Sequence, residues 1–129
     1  MTDFRVLVTG SRTWDAEGTL RAALHEVYHA AVGSGADRLV VVHGANPRGA
    51  DAMADTWVRD HAQHGTVTAE RHPADWHQYG RSAGYRRNAE MVGAGADLCL
   101  AFVRDDSAGA TNCLRLAERA GIATRRWTA

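Results

Sequence analysis

The sequence has no excess of charge of either sign. Its fifteen basic residues, all of them arginine, balance fifteen acidic residues, so the formal net charge is zero. A protein that acts on nucleic acid usually carries a basic excess that attracts the phosphate backbone. Nucleic acid is therefore an unfavoured partner, although a local basic patch stays compatible with the composition.

Long apolar runs and cysteines are also scarce. No run approaches the roughly 20 residues that cross a bilayer, so we expect no membrane partner. The chain begins a strand pattern almost at once, without the layout of a signal peptide. Two cysteines, Cys99 and Cys113, fit a reducing compartment better than a disulfide framework. Together these features predict a cytoplasmic protein.

Metal-binding motifs are missing. The sequence contains neither CxxC nor HExxH. His25 and His29 are spaced as neighbours on one helix face, but no acidic ligand accompanies them, which favours solvated histidines. Cys99 lies within an apolar run and is most simply a core residue. We expect no metal and no required cofactor.

What is present is an alternation of two apolar patterns. Short apolar runs predict five strands, at residues 4–9, 39–43, 66–71, 98–103 and 122–127. Stripes at helical spacing lie between them, namely Leu20/Leu24/Val27/Ala31, Met53/Trp57/Val58/His61 and Cys113/Leu116/Ala117/Ala120, with a less regular helix at 80–92. Gly121 predicts a left-handed end for the last helix. This alternation predicts one α/β domain over residues 1–129, with a doubly wound, mostly parallel five-stranded sheet.

Sheets of this kind bind ligands beyond the carboxyl ends of their strands. Gly, hydroxyl or charged residues follow each of the first four predicted strands, so we expect these loops to converge on one edge. The candidate ligand-binding residues in them are Gly10, Ser11, Arg12, Gly44, Ala45, Gly49, Asp51, Ser107, Gly109, Ala110 and Thr111.

Phosphate binding is the chemistry that the first and last of these loops favour. Gly10 permits close backbone approach, and Arg12 can hold a phosphate with two hydrogen bonds. Small residues at 107–111 leave helix N–H groups open to an anion, and Ser107 or Thr111 can add a hydroxyl. The alternatives are an ordinary turn with a surface arginine and a plain serine cap.

Three further positions have both a structural and a functional interpretation. Asp51 either caps its helix or orders its loop, which we favour, or contacts a ribose or Arg12. The adjacent Arg86 and Arg87 cannot share a helix face, so one is solvated and the other can face the pocket with Asn88. The alternative is an ordinary charged helix surface. The aromatic cluster at 76–79 is expected to be a loop that stacks on a base, packs as a lid or contacts another subunit.

Four segments together resemble the SLOG superfamily of Rossmann-like nucleotide-binding domains, and within it the small bacterial and phage proteins related to YspA and YpsA. They are RVLVTGSRTW at 5–14, VVHGANPRGADAMADTW at 41–57, HPADWHQYGRSAGYRRNAEM at 72–91 and SAGATNCLRLAERAGI at 107–122. The resemblance implies a pocket for a nucleotide or an ADP-ribose-like ligand.

One branch of the superfamily, the lonely-guy enzymes, hydrolyses the N-glycosidic bond of nucleoside monophosphates. Its helical arginine corresponds to Arg87. Its motif PGGxGTxxE places the catalytic glutamate at Cys113 and the threonine at Ala110. A thiol cannot replace a carboxylate that stabilises an oxocarbenium-like centre, so the resemblance favours ligand binding over hydrolysis. It also implies a homodimer.

Another branch, the Rossmann domain of DNA-processing protein A, resembles the segments at 44–55 and 86–88. The absence of lysine and the zero net charge disfavour a similar site for single-stranded DNA.

Three hypotheses follow. The first is a nucleotide sensor or binding module. The second is an N-glycosidase acting on nucleoside monophosphates or NAD-derived nucleotides, with Arg87 and Asp51 as candidate catalytic residues and Glu90 or Asp106 as other carboxylates. The third is a module that binds single-stranded DNA.

Overall fold

Five parallel strands form the centre of the molecule. The computed structural model describes residues 2–62 and 65–129. The strands are β1 (Asp3–Gly10), β2 (Arg38–His43), β3 (Val67–Arg71), β4 (Leu98–Val103) and β5 (Ala123–Thr128). They lie in the order β3-β2-β1-β4-β5, and every pairing is parallel. The predicted α/β class and five-stranded sheet are confirmed.

Helices cover both faces of this sheet. They are α1 (Glu17–Gly33), α2 (Ala50–His61), α3 (Trp76–Tyr79), α4 (Ala83–Ala94) and α5 (Ala108–Arg119). Val6 and Val8 of β1 pack into the core with α1 and α2, whereas Leu7 points to the opposite face, with α4 and α5. Because both faces are covered, the central strands β2 and β4 are buried along nearly their whole length.

The aromatic segment at 76–79 is a short helix and not the loop that we expected. Asp75 caps α3 by accepting a hydrogen bond from the N–H of Gln78 at 3.0 Å. A 3-10 turn at Gly80–Ser82 follows, so the predicted helix at 80–92 begins at residue 83. Gly80 has a φ of 56°, a left-handed conformation that interrupts the helix between these two parts.

The end of α5 matches its sequence signal. Gly121 has a φ of 78°, and the N–H of Ile122 donates to the carbonyl oxygen of Ala117 at 3.0 Å. Nowhere in the described ranges does a helix combine the length and apolar character of a membrane span.

The order of the strands creates a crevice between the ends of β1 and β4. These two strands are neighbours, but the chain leaves β1 toward α1 and β2 on one side and leaves β4 toward α5 and β5 on the other. Gly10 ends β1 in tight packing, because a Cβ there would lie 2.8 Å from the carbonyl oxygen of Phe102. Such a switch point is where open parallel sheets bind ligands.

Candidate functional site

A cavity of about 340 Å³ opens at this crevice. We call it the edge cavity. Its walls come from the β1 loop, the β2 loop, the segment from α3 to α4, and the start of α5; they comprise Thr9, Gly10, Arg12, Asn46, Asp51, Trp76, Arg81, Gly84, Tyr85, Arg87, Asn88, Met91, Ser107, Ala108, Gly109 and Ala110.

The first turn of α5 presents unused hydrogen-bond donors to the edge cavity. Ser107 precedes the helix, and its side chain makes no capping hydrogen bond. Its carbonyl oxygen accepts from the N–H of Thr111 at 3.0 Å. Within the described residues, the N–H groups of Ala108, Gly109 and Ala110 have no acceptor. Free N–H groups and the positive end of the helix dipole together favour an anion here.

Arg87 of α4 is held by its neighbours at the wall of the edge cavity. Its Nε donates to Oδ1 of Asn88 at 3.0 Å, and its Nη1 donates to the carbonyl oxygens of Gly44 and His72. Nη2 has no hydrogen-bond partner within residues 2–62 and 65–129. The side chain is therefore fixed in place while one amino group stays available to a ligand.

Asn88 connects α4 to the start of α5. It is only 4% exposed, and its Nδ2 donates to the carbonyl oxygen of Gly109 at 3.2 Å and to Oδ1 of Asn112 at 3.1 Å. The Oδ1 of Asn88 also accepts the hydrogen bond from Nε of Arg87. This single amide therefore fixes the position of Arg87 relative to the free N–H groups of α5.

Asp51 is the buried carboxyl of the site. It lies in the first turn of α2, is 7% exposed, and accepts a hydrogen bond from the N–H of Asn46 at 3.2 Å. Gly49 occupies the N-cap position of α2 and no side chain caps the helix, so Asp51 orders the β2 loop and does not cap. Burial raises the pKa of Asp51 above its ordinary value, against the hydrogen bond from Asn46 and the nearby charges of His43 and Arg87.

Cys113, at the position of the glutamate in the lonely-guy motif, is fully buried behind the cavity. Burial raises the pKa of this thiol to about 11, so it carries no charge at neutral pH. The other carboxylates that we considered lie elsewhere, because Glu90 pairs with His72 at 2.8 Å and Asp106 is an exposed residue of a neighbouring cavity. Asp51 is the carboxyl that lines the edge cavity in the described part of the chain.

Eight of the candidate ligand-binding residues meet around the edge cavity: Gly10, Arg12, Asp51, Arg87, Asn88, Ser107, Gly109 and Ala110. The structure places five others outside its walls, namely Ser11, Gly44, Ala45, Gly49 and Thr111. The residues of the two groups differ in the hydrogen bonds and packing contacts that they make within the protein.

The side chain of Ser11 is hydrogen-bonded within the protein. It is 2% exposed, its hydroxyl donates to the carbonyl oxygen of Arg104 at 3.2 Å, and it accepts from the N–H of Arg104 at 2.8 Å. Gly49 has a φ of 72°, and a Cβ there would overlap the carbonyl oxygen of Ser11. Ala45 and Thr111 border other cavities. These residues shape the loops of the site without facing the edge cavity.

Four residues of the wall in the segment from α3 to α4 escaped the sequence analysis: Arg81, Gly84, Tyr85 and Met91. Within α4, Asn88 follows Gly84 by four positions and Tyr85 by three, and Met91 follows Asn88 by three, which is the spacing of one helix face. Arg81 precedes this face in the 3-10 turn. Of the aromatic cluster, Trp76 lines the cavity, whereas Tyr79 packs beneath the guanidinium of Arg86 at 4.4 Å. Periodicity counted from Asn88 was the signal that would have found this face.

No group of three or more histidine, cysteine or acidic side chains is placed to hold a metal ion in residues 2–62 and 65–129.

Comparison with known proteins shows which family the chain belongs to. The family model of the YspA, cpYpsA-related SLOG family matches residues 4–79. "Gene 61 protein" of Mycobacterium phage D29 is 49% identical over 119 residues, which cover 92% of this chain and 91% of that protein. No solved structure matches. The chain belongs to the YspA, cpYpsA-related SLOG family.

Proposed function

We propose that the edge cavity binds a nucleotide or a nucleotide-derived ligand and places a phosphate group at the N-terminus of α5. The observation that carries this proposal is the set of three N–H groups, of Ala108, Gly109 and Ala110, that lack an acceptor among the described residues and line the cavity. Nη2 of Arg87 and the guanidinium of Arg12 add positive charge at the same wall. Guanidinium and helix N–H groups are both strong partners for phosphate.

The remaining walls suit a nucleoside. Trp76 is 57% exposed and Tyr85 is 48% exposed, so both rings have a face on which a base can stack. Asp51 and Asn46 offer polar groups for ribose hydroxyls on the β2 side. A cavity of about 340 Å³ is at the small end of the range of ligand sites, which fits a mononucleotide-sized group.

A sensor or binding module is the form of this function that the residues favour. The glutamate expected of a lonely-guy hydrolase is replaced by the uncharged, buried thiol of Cys113. A thiol of that kind neither stabilises an oxocarbenium-like centre nor activates water. The resemblance to those enzymes makes a homodimer part of the proposal, which sedimentation of the pure protein tests directly.

Thermal unfolding in the presence of nucleotides tests the binding proposal. A ligand at 100 times its Kd adds roughly 2.7 kcal/mol to the free energy of unfolding, so nucleoside monophosphates and ADP-ribose are compared with their dephosphorylated nucleosides. We expect stabilisation by the phosphorylated forms, and its loss in Arg87→Ala. Arg86→Ala is the matched control, because Arg86 lies on the solvent side against Tyr79. Absence of a shift with every phosphorylated ligand contradicts the proposal.

An N-glycosidase is the second candidate, and Asp51 is the observation that favours it. This carboxyl lines the edge cavity, and its burial raises its pKa, which is the environment that enzymes use to keep a carboxyl protonated as a general acid. Release of free base from nucleoside monophosphates and NAD, measured by chromatography, tests it. Turnover that is lost in Asp51→Asn while binding is kept supports the enzyme, and no release by the wild type rules it out.

A further inference from the structure

A second cavity adjoins the edge cavity along α5. It has a volume of about 640 Å³, and Tyr85 and Ala108 line both cavities. We call it the arginine groove, because three of its lining residues are Arg115, Arg119 and Arg126. The two cavities form one continuous recess with Tyr85 at the boundary.

The arginine groove carries uncompensated positive charge. Arg115 and Arg119 lie four positions apart and so project from the same side of α5. Neither forms an ion pair or a side-chain hydrogen bond with any residue in the described ranges. Arg126 of β5 approaches Asp106 at 3.9 Å, but that carboxylate is 97% exposed, and a pair so exposed contributes little binding energy.

Seven of the nine arginines elsewhere in the described chain pair with a carboxylate within 3.3 Å, and Arg48 and Arg86 do not. Arg5 contacts Glu70 at 2.8 Å, and Arg38 contacts Asp3 at 2.8 Å. By contrast, the arginines of the edge cavity, which are Arg12, Arg81 and Arg87, form no ion pair within the described chain, and in the groove Arg126 alone approaches a described carboxylate. The zero net charge of the whole sequence therefore conceals a segregation of six arginines around one recess, which favours an anionic ligand.

We infer that the ligand carries a second phosphate group, separated from the first by a nucleoside, and that the arginine groove binds this second phosphate. The inference rests on the proposed function, since it takes the first phosphate to lie at the start of α5. Arg115 follows Ala108 by seven residues, or about 10 Å along the helix axis. Directly linked phosphates do not span that length, whereas phosphates on either side of a nucleoside do.

Tyr85 and the polar groups at the groove fit this arrangement. Tyr85 lies between the two anion sites and offers its ring to the nucleoside that joins the phosphates. Thr111 and Asn112 also line the groove and can donate to phosphate oxygens. A small bisphosphorylated nucleotide is favoured over a nucleic-acid strand, because a strand tracks an extended basic surface, whereas these six arginines surround one recess.

The test compares matched ligands by calorimetry. Nucleoside 5′-monophosphates of the four bases are titrated beside the corresponding 3′,5′-bisphosphates, with wild type, the double variant Arg115→Ala/Arg119→Ala, and Arg125→Ala. Both groove residues are exposed, so the double variant keeps the fold. Arg125 is an exposed arginine of β5 that lines neither cavity and serves as the control. We expect the bisphosphate of the preferred base to bind about tenfold or more tightly than its monophosphate, the equivalent of one charge-assisted hydrogen bond.

In the double variant, we expect the bisphosphate to bind no more tightly than the monophosphate. The affinity for the monophosphate should stay within about twofold of the wild-type value. Equal affinity of wild type for the two ligands, or an advantage that survives the double variant, overturns the inference but leaves the proposed function standing. Failure of every ligand to bind overturns both. A 5′-phosphorylated ten-nucleotide strand is titrated in the same way. If it binds more tightly than any bisphosphate, with a steep dependence on salt, the ligand is a nucleic-acid strand and the inference of a small bisphosphate is overturned.

Discussion

The guanidinium of Arg87 donates a hydrogen bond to the carbonyl oxygen of Gly44. The two residues are 43 positions apart in the chain, and the bond attaches α4 to the loop that follows β2. Gly44 makes the contact possible because it has no side chain, since a Cβ at this position would overlap Nη1 of Arg87. The orientation of a candidate ligand-binding arginine thus depends on a glycine that does not itself line the edge cavity.

Gly44→Ala is expected to displace Arg87 and to weaken nucleotide binding about tenfold or more, as the loss of an oriented charge-assisted hydrogen bond predicts. Loss of the hydrogen bonds that hold Arg87 should also lower the free energy of unfolding, by about 1 kcal/mol, since the end of this side chain can move away from the added Cβ. Calorimetry and urea unfolding measure the two effects. Gly93→Ala, in the exposed part of α4 with no atom within 4 Å of the added Cβ, should leave binding unchanged. Wild-type affinity in Gly44→Ala would show that the position of Arg87 is irrelevant.

Asn88→Ala should lower the free energy of unfolding by about 1–3 kcal/mol, because it removes a buried amide that makes three side-chain hydrogen bonds. Oδ1 of Asn112 and Nε of Arg87 lose a partner, and the carbonyl oxygen of Gly109 loses the hydrogen bond that ties α5 to α4. Urea unfolding reports the loss. The exposed amide Gln78→Ala should stay within about 0.5 kcal/mol of wild type, and an equally small change in Asn88→Ala would be at odds with the bridging role.

Asp51→Asn is expected to alter the dependence of stability on pH. Because burial raises the pKa of Asp51 in the folded state, the folded protein holds this proton more tightly than the unfolded chain does. Below the ordinary pKa of 3.8 the carboxyl is protonated in both states. As the pH rises from there through the folded pKa, ionisation destabilises wild type relative to Asp51→Asn.

The unfolding free energies of the two proteins should therefore converge in acid and diverge, in favour of the variant, toward neutral pH. The control is Asp60→Asn, since Asp60 is an exposed residue of the same helix. A gap of constant size across the pH range would show that Asp51 has no raised pKa.

Glu70→Gln should destabilise the protein by about 1 kcal/mol at neutral pH, a modest value because the side chain is 36% exposed and solvent screens its charge. Glu70 accepts two hydrogen bonds from Arg5 and one from His72, each at 2.8 Å. These bonds lower the pKa of Glu70 to about 2. The stability they add is present above the ordinary value of 4.5 and is lost as the pH falls toward 2.

Unfolding free energies of wild type and Glu70→Gln should accordingly approach each other between pH 4.5 and 2, the ordinary and the lowered pKa. Glu118→Gln, an exposed residue of α5, serves as the control, with an expected change within about 0.5 kcal/mol. A difference between wild type and Glu70→Gln that persists unchanged at pH 2 would contradict this account.

Most elements of the fold were predictable because they carry strong periodic signals. Each of the five strands was expected within a few residues of its observed bounds, since buried parallel strands are continuous apolar runs. The helix α3 was missed because four residues are too short for a helical stripe. Its cap is Asp75, and a single capping residue does not distinguish a short helix from a turn.

The candidate site was predictable where it depends on the strand ends. Gly10 and Arg12 lie at the end of β1, and Asp51 lies at the helix start that the β2 loop leads to, so a parallel sheet brings them to one edge. Tyr85 and Met91 belong to the wall through the rotation of α4 about its axis, which packing against α5 sets. The hydroxyl of Ser11 forms a hydrogen bond with the backbone of Arg104, which lies 93 positions away. No local sequence pattern predicts such a partner.

The sequence by itself determined the α/β class, the parallel sheet and the edge where loops rich in glycine and polar residues collect, because these follow from local periodicity and from the direction in which strands end. Only the tertiary structure decided which polar groups are free. From the sequence alone, Ser11 and Arg87 were both candidate ligands for a phosphate group. Packing bonded the hydroxyl of Ser11 to Arg104 and left Nη2 of Arg87 available, since hydrogen bonds form between groups that are close in space, whatever their separation along the chain.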